Sequence, residues 1–449
     1  MSQYPVRLMV SDDLERRRLT VAFRLLLAIP LAIWLVLWSL LALLLSVVNW
    51  FATLLLGRCP ARLHRYLRAY VKFVTHYLAY IRLAANPYPP FDGSDGYPVD
   101  VWIGPPERQS RLGVAVRLPL ALPALAIAEL LVGSTQISAA GRSGGALTGR
   151  LTQGGLAGTV AILAWFAILA RGRMPRGLRD AAAYGIGYGA QVWAYLLLLT
   201  DRYPDSDPMT AIGELPERED PIRLSGEDDL RRSRLTVLFR LPLCFPHLLW
   251  LALWSVLVVP VAIVNWFWTL ARGRSPVRLH RFLSAYVRYL VSVYAFLLIV
   301  ANPFPGFVGA PGAYPLDTLI EEPVRQNRWT VLFRLVLVIP ALLIEAVYSA
   351  IGSLLGFFGW FSSLARGRMP RGMRNAGAMA LRYEAQTIGY LLLLTPSYPY
   401  SGPCRSVRSE PRGKWLTPPP EPPPGSVPVP APLAPPDPAG PAYRAFGEA

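Results

Sequence analysis

The chain has 449 residues, 53% of them hydrophobic and only 16% charged, with a formal net charge of +17. That composition, with apolar runs longer than any soluble core helix needs, excludes an ordinary globular domain and indicates an integral membrane protein. The charge is almost all arginine and stands beside the apolar runs, where it would meet anionic headgroups; membrane lipid is the expected partner and nucleic acid is not.

The chain opens with Ser11-Asp12-Asp13-Leu14-Glu15-Arg16-Arg17-Arg18. This is not the basic tip and short apolar region of a cleaved signal peptide, so the first apolar run is expected to serve as an uncleaved insertion signal. Leu25 to Leu56 contains no charge across 32 residues. As one helix it would reach ~48 Å against a hydrocarbon core of ~30 Å. A single crossing would also set Arg16, Arg17 and Arg18 on one side and Arg58, Arg62 and Arg65 on the other. The expectation is therefore a transmembrane hairpin turning near Ser39, with both basic clusters cytoplasmic.

Gly57-Arg58-Cys59-Pro60 follows, and then Arg62, Arg65, Arg68, Lys72 and His76 at spacings of three or four. That spacing predicts a helix with one basic face, lying in the headgroup layer of an anionic leaflet or else spanning with its basic end cytoplasmic. Asn86-Pro87-Tyr88-Pro89-Pro90-Phe91 ends this first unit with helix-breaking proline and interfacial aromatics.

The same pattern then recurs three times. Gly-Arg-x-Pro returns at Gly172, Gly273 and Gly367, and the Trp-Phe pair at Trp165-Phe166, Trp266-Phe267 and Trp360-Phe361 after the first at Trp50-Phe51. An arginine stands in the first apolar stretch of every unit, at Arg24, Arg117, Arg240 and Arg334, each with a proline a few residues on. The units occupy 1–92, 93–206, 207–308 and 309–400. Asn49 and Asn265 lie 216 residues apart, as do His64 and His280, so a pair of units was duplicated as a pair. Short extended segments after proline, such as Tyr4-Pro5-Val6-Arg7-Leu8 and Tyr97-Pro98-Val99-Asp100-Val101, open each unit. In unit 2 a Gly/Ser-rich insert, 133–158, carries Arg142 and Arg150 to water and marks the turn of the hairpin; the counterparts are Ser39, Ser255 with Pro260, and Gly352-Ser353. From Ser401 to Ala449 the chain is proline-rich and is expected to be a disordered tail, open to a soluble partner.

The order of these motifs resembles the bacterial membrane proteins of the domain-of-unknown-function family 4389, in four tandem copies. The resemblance rests on the arginine-containing apolar start, Ala28-Ile29-Pro30 and Val338-Ile339-Pro340, Trp-Phe, Gly-Arg-x-Pro, and the ending Tyr195 to Pro204. It implies no activity and no catalytic residue.

The fold class expected is thus an all-α integral membrane protein, four repeats of a transmembrane hairpin plus a basic amphipathic or spanning helix. Short extended or β segments separate the repeats, and the tail is disordered. The multi-pass protein is expected in the cell membrane, with N-terminus and tail cytoplasmic.

Candidate headgroup ligands are Arg58, Arg62, Arg65, Arg68, Lys72, Arg173, Arg274, Arg278, Arg281 and Arg368. Gly-Arg-x-Pro suits a phosphate cradle, but a helix corner, in which glycine ends one helix and proline begins the next, is the simpler reading. Arg24, Arg117, Arg240 and Arg334 would snorkel, contact lipid or pair with an acid. Glu129 and Glu345, deep in apolar sequence, suit an ion path at equivalent positions or one buried Arg–Glu pair. No metal or cofactor is expected: His64, His76, His247 and His280 form no ligand spacing, and Cys59, Cys244 and Cys404 form no CxxC. A non-enzymatic scaffold that binds anionic lipid is the favoured function, and a small-solute or ion transporter the alternative.

Overall fold

In unit 1 the residues Val21, Arg24, Ala28, Leu31, Ala42, Asn49 and Thr53 are buried, and they recur at helical spacing on one face. Nearly everything between them is aliphatic and exposed, including Leu25, Leu40, Leu43 and Leu55. The sequence thus dictates a long helix packed along one stripe only.

The computed structural model describes residues 4–133, 154–213, 215–226 and 229–406, and these are mostly helical. The expected Pro-rich tail beyond Ser406 lies outside them, as do Arg142 and Arg150 of the insert. The principal helices are α1 (Ile29–Leu56), α2 (Ala61–Ile81), α3 (Arg117–Val132), α4 (Gly155–Arg171), α5 (Arg176–Leu196), α6 (Arg240–Arg272), α7 (Val277–Leu297), α8 (Ile339–Arg366) and α9 (Arg371–Leu391). Short helical turns, such as Arg18–Ala22 and Arg24–Leu27, lead into the long ones. Four strands, β1 (Val6–Val10), β2 (Val99–Ile103), β3 (Ile222–Ser225) and β4 (Asp317–Ile320), open the four units as expected.

The hairpin turns expected at Ser39, at Ser255 with Pro260 and at Gly352-Ser353 do not occur: α1, α6 and α8 run through them. The reason is visible at the serines. Ser39 Oγ donates to the Leu35 carbonyl at 2.6 Å and lies 2.8 Å from Tyr70 Oη. Ser255 repeats this with Leu251 at 2.7 Å and Tyr286 at 2.9 Å. A hydroxyl bonded back onto its own helix leaves the helix intact, so these serines mark a contact with the next helix rather than a turn. The hairpin that does form is between each long helix and the helix after its corner. Arg24–Leu56, Arg240–Arg272 and Ile339–Arg366 are each long and apolar enough to cross a membrane.

Unit 2 explains its insert. Its α3 and α4 hold 16 and 17 residues, together the length of the 33-residue stretch Arg24–Leu56. The ends meet: a Cβ on Gly155 would stand 2.4 Å from the Gly133 backbone nitrogen. Leu131 of α3 and Ala157 of α4 both reach Gly185 of α5. The insert therefore interrupts the middle of one helix line and does not separate two antiparallel arms.

Units associate in pairs. β1 pairs antiparallel with β2, Val6 opposite Ile103, Leu8 opposite Val101 and Val10 opposite Val99. Because Val6 and Val99 are equivalent in the repeat, this register has a local twofold at Leu8 and Val101. β3 and β4 repeat it, with Leu224 opposite Thr318. Strand pairing thus crosses the expected boundaries between units 1 and 2 and between 3 and 4. Both sheets occupy the same face of the molecule: Ile212 bridges to Leu8, and Glu217–Arg218 pair with Arg405–Ser406 beside β3. The five residue steps from Ile212 to Glu217 reach at most ~17 Å. The helices α2, α5, α7 and α9 lie between the sheets and the long helices and are largely buried.

Candidate functional site

Each inner helix ends on a non-glycine residue in the left-handed region: Leu83, Leu198, Ile299 and Leu393, with φ of 63°, 59°, 62° and 62°. Such a conformation is costly for a bulky side chain, most of all for β-branched Ile299, and persists only where its surroundings over-determine it. The arginines repeated in the four apolar runs supply those surroundings.

Arg24 donates to the Tyr80 and Ala85 carbonyls, both at 2.9 Å, and lies over the Tyr80 ring at 4.3 Å. Arg117 donates to Gln109 Oε1 at 2.6 Å and Asp201 Oδ1 at 3.2 Å, over Tyr195 at 4.1 Å. Arg240 reaches the Ala301 carbonyl at 3.1 Å over Phe296, and Arg334 meets Gln326 Oε1 over Tyr390 at 3.9 Å. All four are almost fully buried. They do not snorkel, and Arg117 also pairs with Asp201; their common role is to hold the carbonyls at and just beyond the end of the inner helix, where a cation also meets the negative end of the helix dipole. A second residue, eight positions earlier, holds the left-handed residue itself. Arg16 and Arg232 donate to the Leu83 and Ile299 carbonyls at 3.3 and 3.2 Å, Gln109 and Gln326 to those of Leu198 and Leu393 at 2.6 and 2.7 Å. The constant spacing of eight was present in the sequence and went unread.

Gly-Arg-x-Pro forms the corner. Gly57, Gly172, Gly273 and Gly367 end the long helices at φ between 67° and 72°, and Pro60, Pro175, Pro276 and Pro370 cap the starts of the next ones. Each glycine carbonyl accepts from a backbone N–H of the paired unit: Gln109 onto Gly57 at 2.9 Å, Arg16 onto Gly172 at 3.2 Å, Gln326 onto Gly273 at 2.8 Å and Arg232 onto Gly367 at 2.9 Å. The Trp of each Trp-Phe pair is reciprocal in the same way. Trp50 Nε1 donates to the Val114 carbonyl at 3.0 Å and Trp165 to that of Val21 at 3.3 Å; Trp266 and Trp360 do likewise to Val331 and Val237.

The corners of odd and even units are complementary alternatives. Asn49 Nδ2 donates to the Leu197 carbonyl at 2.9 Å while its Oδ1 accepts from Cys59, and Asn265 repeats this with Leu392 and Ser275. In even units Ala164 and Gly359 leave room for Met174 and Met369; a Cβ on Gly359 would stand 2.6 Å from the Met369 sulfur. Asn49→Ala is expected to cost about 1–3 kcal/mol, because the buried Leu197 carbonyl loses its donor. Adding Cys59→Met, which copies unit 2, should recover part of that loss in thermal melts of the detergent-solubilised protein.

Much of the basic face of α2 is buried inside the fold. Lys72, His64 and His76 are buried, Arg68 is half-buried, and only Arg62 and Arg65 are exposed. Lys72 Nζ lies 3.1 Å from Asp100 Oδ2 and also pairs with Asp95, while His76 Nε2 lies 2.9 Å from Asp100 Oδ1. The periodicity was correct, but strand β2 and its preceding loop cover the face. Burial works against the charge of Asp100, yet the bonds and charges of His76 and Lys72 outweigh it and hold its carboxyl below the usual aspartate range. Burial pushes the His64 and His280 imidazoles below their ordinary value. Below about pH 6.5 the unfolded chain therefore binds protons that these folded histidines do not, and stability falls as pH falls. The Asp100 contribution is lost later, as pH drops through its depressed folded value. Melting temperature should decline from pH 7 downward, and His64→Gln with His280→Gln should flatten the first part of that decline.

Glu129 stands twelve residues after Arg117 and Glu345 eleven after Arg334, so they differ by ~100° around the helix and are not equivalent. Glu129 is exposed and Glu345 half-buried, and among the described residues neither forms an ion pair. Glu345 instead lines a cavity of about 180 Å³ with Glu384, Tyr294 and Tyr348.

The other basic candidates, Arg58, Arg173, Arg274, Arg278, Arg281 and Arg368, are exposed. Pairing gathers them at the ends of the long helices. Arg58 bridges to Arg108 and Arg368 to Arg231, while Arg111, Arg18, Arg328 and Arg234 donate to the Leu55, Ala170, Ala271 and Ala365 carbonyls.

A family model described as Domain of unknown function (DUF4389) matches residues 18–92, 153–206, 234–308 and 328–401, more than half of the chain. In unit 2 the match starts only at residue 153, near the end of the insert, although α3 supplies the missing first half of that helix line. No curated protein and no solved structure matches.

Proposed function

The chain belongs to the DUF4389 family, in four tandem copies, and from that premise we propose that it is a non-enzymatic membrane scaffold that binds anionic lipid. The observation that carries this reading is the outer surface of α1 and α6, where Leu25, Leu43, Leu55, Val256, Leu257 and Phe267 are each more than half exposed. A water-soluble protein rarely leaves so continuous an apolar surface open. Exposed arginines stand at both ends of it and suit phosphate headgroups. The Pro-rich tail is proposed as a recruiting segment for a soluble partner. The transporter alternative is weaker, since Glu129 and Glu345 occupy different helix faces.

Flotation with liposomes provides the test. The purified chain should float with phosphatidylglycerol-containing vesicles, and replacing Arg58, Arg62 and Arg65 together by glutamine should reduce flotation several-fold at low salt while leaving the melt unchanged. Failure to float with any vesicle would end the membrane reading, and equal flotation of the variant would end the anionic-lipid reading.

A further inference from the structure

We propose that the long apolar helices lie in the plane of one leaflet and do not cross the bilayer. This rests on the membrane reading above and deepens it: the occupant of the apolar surface is the acyl-chain layer of a single leaflet.

Three observations carry it. The first is length. Arg24–Leu56 and Arg240–Arg272 hold 33 residues each, ~50 Å, against a core of ~30 Å. The hairpin that would have folded this excess back does not form.

The second is what lies beside the middle of the helix. Ser39, near the midpoint of Arg24–Leu56, touches Tyr70, and Trp38 packs on Phe73 at 5.2 Å. At that same level of α2, Lys72 holds Asp100 of β2 and Asp95, whose side chain is 77% exposed. If α1 crossed the membrane, Asp92, Asp95 and the β2 edge of a two-stranded sheet would stand near the bilayer midplane. Open strand edges do not occur in hydrocarbon, and a charge there costs several kcal/mol. Unit 3 repeats the arrangement, with Ser255 against Tyr286 and Arg288 donating to the Thr318 carbonyl of β4 at 3.1 Å.

The third is charge. Arg58, Arg62, Arg65, Arg108 and Arg111 gather at one end of the first pair, Arg17, Arg18, Arg171, Arg173 and Arg176 at the other, and all are exposed. A crossing orientation would put a dense basic cluster on both sides of the membrane. Polarity in this fold is ordered from the sheets to the apolar helices, across the helix axes and not along them. Both sheets share one face, so the layers from water to lipid are sheet, inner helix and long helix. In-plane embedding sets both basic ends against the headgroups of one leaflet.

The test is a depth profile. The cysteines are first replaced by their repeat equivalents where these exist, Cys59→Ser after Ser275 and Cys244→Ala after Ala28, with Cys404→Ser. Single cysteines then replace Leu26, Leu40 or Leu55, all exposed, and carry a nitroxide in phosphatidylglycerol-containing vesicles. Oxygen and nickel-chelate accessibility should place the three labels at one shallow depth, well short of the midplane that lies ~15 Å from the headgroups. Cysteines at Arg18, Arg58 and Asp95 should react with an impermeant maleimide from the same side. A maximum of depth at Leu40 with shallow ends, or Arg18 and Arg58 on opposite sides, overturns the in-plane orientation while leaving membrane binding intact. Three labels in water overturn both.

Discussion

Arg117→Met is expected to be the most damaging single substitution among the four buried arginines, lowering stability by about 3–5 kcal/mol. Arg117 is 2% exposed and holds Gln109, Asp201 and the Thr200 carbonyl at once, with its guanidinium plane over Tyr195. Methionine fills much of the volume but leaves Gln109 Oε1 and the Thr200 carbonyl beyond α5 without this donor. The left-handed Leu198 then loses part of what holds it, because Gln109 is oriented by the same arginine. Arg117→Lys should recover little, since an ammonium cannot fork between three acceptors. Total stability of a folded domain is only ~5–15 kcal/mol, so the variant should aggregate on size exclusion or melt well below the parent in detergent. Arg58→Met, at an exposed corner position, should stay within about 0.5 kcal/mol. A parental melt for Arg117→Met would refute the capping role.

Removing residues 133–154 should give a folded protein, whereas removing 134–153 should not. The first deletion joins Val132 to Gly155 and leaves 33 residues between Arg117 and Arg171, the same as Arg24–Leu56. Trp165 then keeps its bond to the Val21 carbonyl, and Ala161, Ala164 and Ile168 stay on the buried face. The second deletion retains two more residues, which turn α4 by ~200° relative to α3. It would aim Trp165 away from unit 1 and the buried stripe outward. Helix content by circular dichroism and monodispersity on size exclusion distinguish the two. If both deletions behave alike, α3 and α4 are not one interrupted helix line.

Much of this was legible in the sequence. Repeat number, the likeness of odd units to each other and of even units to each other, the corner and the opening strands follow from residue type at fixed spacing, because glycine, proline and alternating β-branched residues act locally. The arginine at the head of each apolar run was legible as a feature but not as a role. Its partners include backbone carbonyls about 60 to 80 residues away, and carbonyls carry no sequence signal. Gln109 and Gln326 were missed for a similar reason, since a neutral amide in a polar stretch looks like any other until the left-handed residue it holds is in view.

What the sequence by itself determined is the set of local elements: long apolar runs, a Gly-Arg-x-Pro corner after each, and a helix beyond the corner, basic on one face in the first unit. Only the tertiary structure decided where polarity points. Helical periodicity assigns Lys72 and His76 to one face of α2 but cannot say what covers that face, and a serine in an apolar run signals a turn and a helix contact equally well. Both ambiguities are resolved by a neighbour distant in the chain, Asp100 in one case and Tyr70 in the other. Hydropathy along the sequence measures how apolar a helix is, whereas its orientation to a bilayer depends on which side of the helix the charged layers stack, and that is set by packing between units.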